Sequence, residues 1–215
     1  MKSATLLTVS FFLFSFITNL PLIFSKGAEQ VLDTNGNPIF PGSRVYIMPA
    51  IFGAAGGGVR LGQTGNSTCP VTVLQDYSEV VTGLSVKFTI LADVSTGIIF
   101  TGTELEIEFE EKPACASSSK WVVVVDDFPG GAWVGIGGDE DHQGKQVLSG
   151  GRFNIQKYDV AYKIVFCPEV TAPPGLCYDI GRRDNNENGR RLVLTNGDPY
   201  QVVFVDADAT GTTTV

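Results

Sequence analysis

An all-β domain is what this sequence predicts, and three observations carry the prediction. Short β-branched or aromatic runs recur along the chain from Val31 onward. Gly, Pro, Asn and Asp stand between them, residues that supply positive φ, fixed φ and side-chain-to-backbone turns. No window of a dozen residues sustains a helical period. Roughly twelve short strands with frequent turns make a closed or sandwiched domain. Periodicity alone leaves sandwich, eight-stranded barrel and trefoil open.

The elements follow in order. The first 25 residues carry one cation, Lys2, and then a mainly apolar run from Leu6 through Phe24, interrupted by Asn19 and Pro21. This is the pattern of a cleaved secretory leader rather than a membrane anchor, with the cut expected after Ser25. Residues 26–215 then have the size of one domain with a substantial core. A turn at Asp33-Thr34-Asn35-Gly36-Asn37-Pro38 leads to a strand at 45–48. Asn and Asp there bond their own backbone, Gly36 admits positive φ and Pro38 fixes φ. The glycine-rich segment 53–58 reads as a flexible connection to strands at 59–61 and 71–75. Strands at 86–90, 98–101 and 105–109 come next. In the last of these Leu105, Ile107 and Phe109 face one way while Glu104, Glu106 and Glu108 face the other. Further strands are expected at 121–125, 134–136, 152–156, 162–166, 191–195 and 200–205. No composition break divides the domain, and residues 206–215, rich in Ala and Thr, are expected to fray.

Charge and cysteine content exclude several functions. Without its leader the chain keeps 14 basic residues against 23 acidic, a net charge of −9. Nucleic acid demands a basic face and is excluded as a partner. Four cysteines, Cys69, Cys115, Cys167 and Cys177, form an even set behind a secretory leader, which implies two disulfides with three possible pairings. No C-x-x-C spacing offers a zinc or redox site. Residues 168–176 contain Pro173-Pro174-Gly175 and form a short loop suited to local closure by Cys167 and Cys177. Asn66-Ser67-Thr68 is the one acceptable glycosylation sequon, in a Gly-rich turn close to Cys69.

Catalytic patterns are equally sparse. The single histidine, His142, lies in Asp139-Glu140-Asp141-His142-Gln143-Gly144, read as a solvated acidic loop. There is no Gly-x-Ser-x-Gly elbow to supply a nucleophile, and oxidised cysteines cannot serve as one. Asp184-Asn185-Asn186-Glu187-Asn188-Gly189 begins like a calcium loop, yet its twelfth position is Thr195 rather than a bidentate Glu. A polar hairpin before Arg190-Arg191 is the expectation. Residues 53–58 lack the Gly-Lys-Ser/Thr ending of a phosphate loop. Trp121 and Trp133 are expected to pack around a β-turn, and no Gln-x-Trp repeat of the kind found in ricin-type trefoil lectins occurs. An enzyme, a metal and a cofactor are therefore not expected.

Val31-Leu32-Asp33-Thr34-Asn35-Gly36-Asn37-Pro38-Ile39, followed by Tyr46-Ile47, resembles the N-terminal signature of the plant Kunitz family, the soybean trypsin inhibitor type. The signature's first aromatic position is Val45 here, with Tyr46 one place later. The likeness continues through Gly57-Gly58-Val59-Arg60-Leu61, Cys69-Pro70-Val71-Thr72-Val73, Ile98-Ile99-Phe100-Thr101-Gly102-Thr103 and Lys120-Trp121-Val122-Val123. It ends in Tyr162-Lys163-Ile164-Val165-Phe166-Cys167-Pro168, Cys177-Tyr178-Asp179-Ile180-Gly181 and Arg190-Arg191-Leu192-Val193-Leu194. The resemblance implies a β-trefoil of about twelve strands in three units, with disulfides Cys69–Cys115 and Cys167–Cys177. It also implies a secreted or vacuolar, monomeric protein whose partner is an endopeptidase of the serine type, with no membrane partner.

Members of that family enter a serine protease cleft with an exposed loop, as a substrate would. The scaffold pre-orders the loop, so little entropy is lost on binding. The corresponding residues here are Leu91, Ala92, Asp93, Val94, Ser95, Thr96 and Gly97. Counting from Gly83 puts the key position near Asp93, and counting back from Gly102 puts it at Ser95. Trypsin's pocket holds a carboxylate that wants Arg or Lys, and no Lys or Arg occurs between Lys87 and Lys112. Strong trypsin inhibition is therefore not expected. Leu91 or Val94 suits the apolar pocket of a chymotrypsin-, elastase- or subtilisin-like target. The Asn that braces the loop in family inhibitors falls at Pro41. The alternatives are a storage or defence protein without inhibition, an inhibitor of cysteine or aspartic proteases acting through 168–176, and a carbohydrate-binding trefoil.

Overall fold

The computed structural model describes residues 27–51, 55–91, 97–126, 131–148, 150–169 and 175–209. Six strands close a barrel: β1 (Val45–Pro49), β4 (Val86–Ile90), β5 (Leu105–Phe109), β9 (Arg152–Tyr158), β10 (Ala161–Cys167) and β13 (Val202–Asp206). The ring runs β1-β4-β5-β9-β10-β13 and returns to β1, every pair antiparallel. Three hairpins cap one end: β2 (Val59–Gly62) with β3 (Thr72–Gln75), β6 (Trp121–Val125) with β7 (Ala132–Ile136), and β11 (Tyr178–Glu187) with β12 (Gly189–Thr195). Each cap hairpin touches the next, through Thr72↔Gly135, Val193↔Trp133 and Arg191↔Leu74. Three units of four strands around one axis are a β-trefoil, which decides among the folds that periodicity left open. β8 (Gln146–Leu148) is an extra short strand beside β6.

Alternation explains the barrel. Leu105, Ile107 and Phe109 are at most 1% exposed, while Glu106 and Glu108 turn outward between them. Phe88 meets Phe204 edge-on at 5.6 Å, and Trp121 meets Phe153 edge-on at 5.9 Å, the geometry that aromatic quadrupoles favour. Both disulfides expected from the family resemblance are formed, Cys69–Cys115 and Cys167–Cys177.

Four local readings change. Residues 98–101 form no strand; Ile99 and Thr101 bond single residues of the N-terminal segment, the Phe100 carbonyl accepts from Thr103 N, and the isolated bridge Gln30↔Phe100 forms. β11 extends as a strand into the polar run Arg182–Asn186 because its partner β12, not burial, holds Arg182–Asp184, and the register shifts between Asp184 and Glu187. Gly56, Gly57 and Gly58 are buried, not a flexible connection. A Cβ at Gly57 would stand 2.2 Å from the Ser78 carbonyl and 2.3 Å from that of Val81, so two backbones meet there with no room for a side chain. His142 is likewise turned inward, at 7% exposure. Near the C-terminus, Asp206 is the last residue of β13, Ala207 donates to Arg44 O and Asp208 pairs with Arg44, while 210–215 lie outside the described residues.

Candidate functional site

The junction between β4 and β5 is built like a pedestal. Five cross-strand pairs, from Val86↔Phe109 to Ile90↔Leu105, fix the two strands, and Leu91 N donates to Glu104 O at 3.1 Å to close the base. The returning limb is pinned separately. Gly97 turns with φ +67°, and two residues later Ile99 is fully buried. Ile99 N donates to Ile39 O, and Val31 N donates to Ile99 O, both at 2.9 Å. Thr101 N donates to Glu29 O, Gly102 N donates to Ile155 O, and Glu29 N donates back to the Thr101 hydroxyl. Of the seven residues expected to meet a protease, Leu91 is half-buried and Gly97 exposed at the two anchored ends. Ala92, Asp93, Val94, Ser95 and Thr96 lie outside the described residues.

The N-terminal turn supports both limbs. Asp33 Oδ1 accepts from the amides of Asn35 and Asn37 at 2.8 Å each, and Gly36 takes φ +84°. That arrangement delivers Ile39, 2% exposed, to its bond with Ile99. The next turn, Phe40-Pro41-Gly42-Ser43, is tied to β4 by Gly42 N donating to Phe88 O, and the Ser43 hydroxyl closes it on Phe40 O at 2.7 Å. Pro41 sits on this turn, exposed. Phe40 stands beside it at 51% exposure, a large apolar side chain held next to the pedestal. Sequence reading passed over it; the signal was an aromatic between Ile39 and a Pro-Gly turn, where nothing required burial.

The surface below the junction is acidic but neutralised. Glu104, Glu106 and Glu110 pair with Arg152, Lys120 and Arg44, respectively, and Lys87 also reaches Glu110. The Ser85 hydroxyl, together with Arg44 and Lys87, holds the Glu110 carboxyl below the usual carboxylate range against a desolvation that would raise it. No basic residue intervenes between Lys87 and Lys112, so the junction offers no cation of its own for an acidic pocket.

The disulfide Cys167–Cys177 closes the second candidate loop, with Gly175 at φ +82° and Leu176 39% exposed; residues 170–174 lie outside the described residues. A cleft of about 770 Å³ opens at the cap, lined among others by Thr64, Asn66, Trp133, His142, Lys145 and Arg191. Trp133 is only 8% exposed, and the Arg191 guanidinium and Lys145 ammonium lie 4.9 and 5.6 Å from its ring centroid. A sugar would have to displace these cations in order to stack.

The remaining polar motifs have structural work. His142 Nε2 lies 2.9 Å from the Ile136 carbonyl, and its ring packs where a Cβ on Gly135 would stand. Asp139 and Glu140 point outward, but Asp141 accepts from the Ser117 hydroxyl and the Gly138 amide. The 184–189 segment is the irregular tip of the β11–β12 hairpin, with Asp184 Oδ1 accepting from the Tyr77 hydroxyl at 2.7 Å and from the Asn186 amide at 2.9 Å. Among the described residues no cluster of three or more His, Cys, Asp or Glu is placed to hold a metal ion.

Comparison with known proteins agrees with this architecture. The model of the legume Kunitz family, described as trypsin and protease inhibitor, matches residues 31–206. A Kunitz-type trypsin inhibitor-like protein of Pisum sativum is 58% identical over 212 residues, covering 97% of this chain and 95% of the relative. Subtilisin inhibitor CLSI-II of Canavalia lineata is 58% identical over 182 residues, covering 83% of this chain and 93% of the relative. The crystal structure of a Kunitz-type trypsin inhibitor from Cicer arietinum superposes with a TM-score of 0.78 at 61% identity, covering 83% of this chain and 99% of that one. The chain belongs to the legume Kunitz family, whose members are protease inhibitors and not enzymes.

Proposed function

We propose that this protein is a secreted, monomeric inhibitor of serine endopeptidases that docks through the segment 91–97 in the manner of a substrate. The supporting observation is the pedestal. Both limbs of the β4–β5 junction are fixed by backbone hydrogen bonds and by the buried Ile99, so the two ends from which the segment departs have little ordering left to lose. Relatives named as a Kunitz-type trypsin inhibitor-like protein and as a subtilisin inhibitor fit the same reading.

Specificity is directed away from trypsin. A carboxylate or a serine hydroxyl at the key position meets the carboxylate of a tryptic pocket without a compensating cation, whereas Leu91 and Val94 suit an apolar pocket. Residues 1–25 direct export and are removed. The test is a titration against trypsin, chymotrypsin, elastase and subtilisin, followed by mass spectrometry of the slowly cleaved bond. Inhibition of an apolar-pocket enzyme with cleavage inside 91–97 is expected. Cleavage inside 168–176 would move the site to the disulfide loop, and no inhibition of any of the four would overturn the reading.

A further inference from the structure

We infer that Asn66 carries an asparagine-linked glycan, added before the cap hairpins close and standing at the mouth of the cap cleft, at the barrel end opposite the inhibitory junction. Three observations support it. Asn66 is exposed, and its side chain makes no hydrogen bond among the described residues. It follows Gly65, which has φ +57° and open space around its α-carbon, so the turn projects from the surface. Thr68 supplies the hydroxyl two positions on, and it too is exposed. A bulky polar group at Asn66 therefore displaces nothing in the folded protein.

The folded turn also shows when the reaction must occur. Ser67 N donates to Thr64 O, the Ser67 hydroxyl donates to Cys69 O, and Gln63 Nε2 donates to Thr68 O. Cys69 is tied to Cys115. These bonds hold the sequon in a compact turn, while a transferase must draw it into its own site, so modification precedes closure of Cys69–Cys115. In the transfer, Asn66 Nδ2 bonds to the anomeric carbon of a lipid-diphosphate-linked oligosaccharide. The bond from that carbon to the diphosphate breaks, the lipid diphosphate leaves with the electron pair, and the amide nitrogen gives up one proton. Competition with disulfide formation makes occupancy partial.

Placement sets the consequence. Asn66 belongs to the β2–β3 connection of the cap, and the β4–β5 junction emerges from the other end of the barrel. The glycan covers the cleft and leaves the junction free. The inference rests on export as proposed above, and the experiment separates the two. The full chain is expressed in plant cells, and the secreted product is weighed intact and after an amidase that releases Asn-linked glycans whatever their core decoration. The expected result is a glycosylated fraction that the amidase converts to the bare mass, with residue 66 read as aspartate in the peptide map. Asn66→Gln and Thr68→Ala abolish that fraction and Ser67→Ala retains it. A joint Cys69→Ser, Cys115→Ser variant raises it, measured on the total cell product so that folding is not required. Inhibition constants are unchanged by the amidase. A product that has lost residues 1–25 yet carries only the bare mass overturns the glycan alone. A product that retains residues 1–25 overturns both the glycan and the export reading.

Discussion

Replacing Ile99 with alanine tests whether the buried residue behind the junction is what holds it. Ile99 is fully buried, so truncation removes three carbons from a filled site and costs about 3 kcal/mol, within the usual range for large-to-small core changes. Its two backbone hydrogen bonds, to Ile39 and from Val31, do not depend on the side chain and remain. For a domain of this size the midpoint of thermal unfolding should fall by about 6–12 °C. A second consequence follows if the residue anchors the returning limb: the loop loses pre-order, the inhibition constant rises about tenfold, and the inhibitor is cleaved faster by its target. Ile136→Ala, equally buried but in the cap, supplies the control, with a similar loss of stability and unchanged inhibition. Calorimetry and steady-state inhibition assays on the three proteins give both quantities. Equal inhibition by the Ile99→Ala and wild-type proteins, at the expected loss of stability, would refute the anchoring argument. An unchanged midpoint would refute the burial argument beneath it.

Four other outcomes are expected. Asp93→Arg and Ser95→Arg distinguish the two register counts: one of them, and not both, gains strong trypsin inhibition, and failure of both in a trypsin titration would place the key residue elsewhere. Phe40→Ala weakens inhibition about tenfold, because half of a large ring is available for burial beside the junction, while the unfolding midpoint stays put; a midpoint shift would show the ring to be structural. Chain-entropy arguments over separations of 46 and 10 residues give losses of about 4 kcal/mol for opening Cys69–Cys115 and about 3 kcal/mol for Cys167–Cys177. Denaturant titrations of the two paired Cys→Ser variants should rank that way, and the reverse order would point to structure retained in the opened chain. Burial pushes the Asp141 carboxyl up, but donors on Ser117 and Gly138 outweigh it and hold the carboxyl below its ordinary value. A group depressed in the folded state contributes stability above its unfolded value and loses it as pH falls through the folded one. Asp141→Asn should therefore flatten the acid limb of the stability curve below the ordinary carboxylate range and leave its slope near neutrality unchanged; an unaltered acid limb would contradict the assignment.

Legibility in the sequence tracked how local the physics is. β5 was plain because one face is buried and the other wet, so Leu105, Ile107 and Phe109 alternate with glutamates. β11 was obscured because Arg182 through Asn186 are exposed and are held by partners outside the run, β12 and Tyr77 among them, leaving no apolar period to detect. The run 98–101 carried the composition of a strand, yet the partners of Ile99 and Thr101 are scattered single residues of the N-terminal segment, a long-range fact that no window contains. His142 and the glycines at 56–58 were misjudged for a related reason. Neighbouring acids and glycines describe local solubility and freedom, whereas the turn of the His142 ring onto the Ile136 carbonyl and the approach of the Ser78 carbonyl to Gly57 are set by the folded backbone. The disulfide pairing was not derivable from spacing and came only with the family resemblance.

The trefoil's own symmetry explains why the candidate site was the least legible part. Three equivalent bridges, Val45↔Val86, Leu105↔Phe153 and Tyr162↔Val202, fix the three units, and consecutive units join at the same end of the barrel. Between β9 and β10 that junction is reduced to Asp159 and Val160, with Tyr158↔Ala161 paired across it and Asp159 at φ +53°. Between β4 and β5 the same junction spans fourteen residues, from Leu91 to Glu104. The barrel closes with only the short form, and of the extra length it is Ile99 that is fully buried in the core. What it adds, apart from Ile99, is length whose described ends are anchored at Leu91 and at 99–102. Selection on a segment between such anchors leaves no periodicity, which is why the scaffold can be argued from hydrophobic pattern while the target must be argued from the one side chain that enters the pocket.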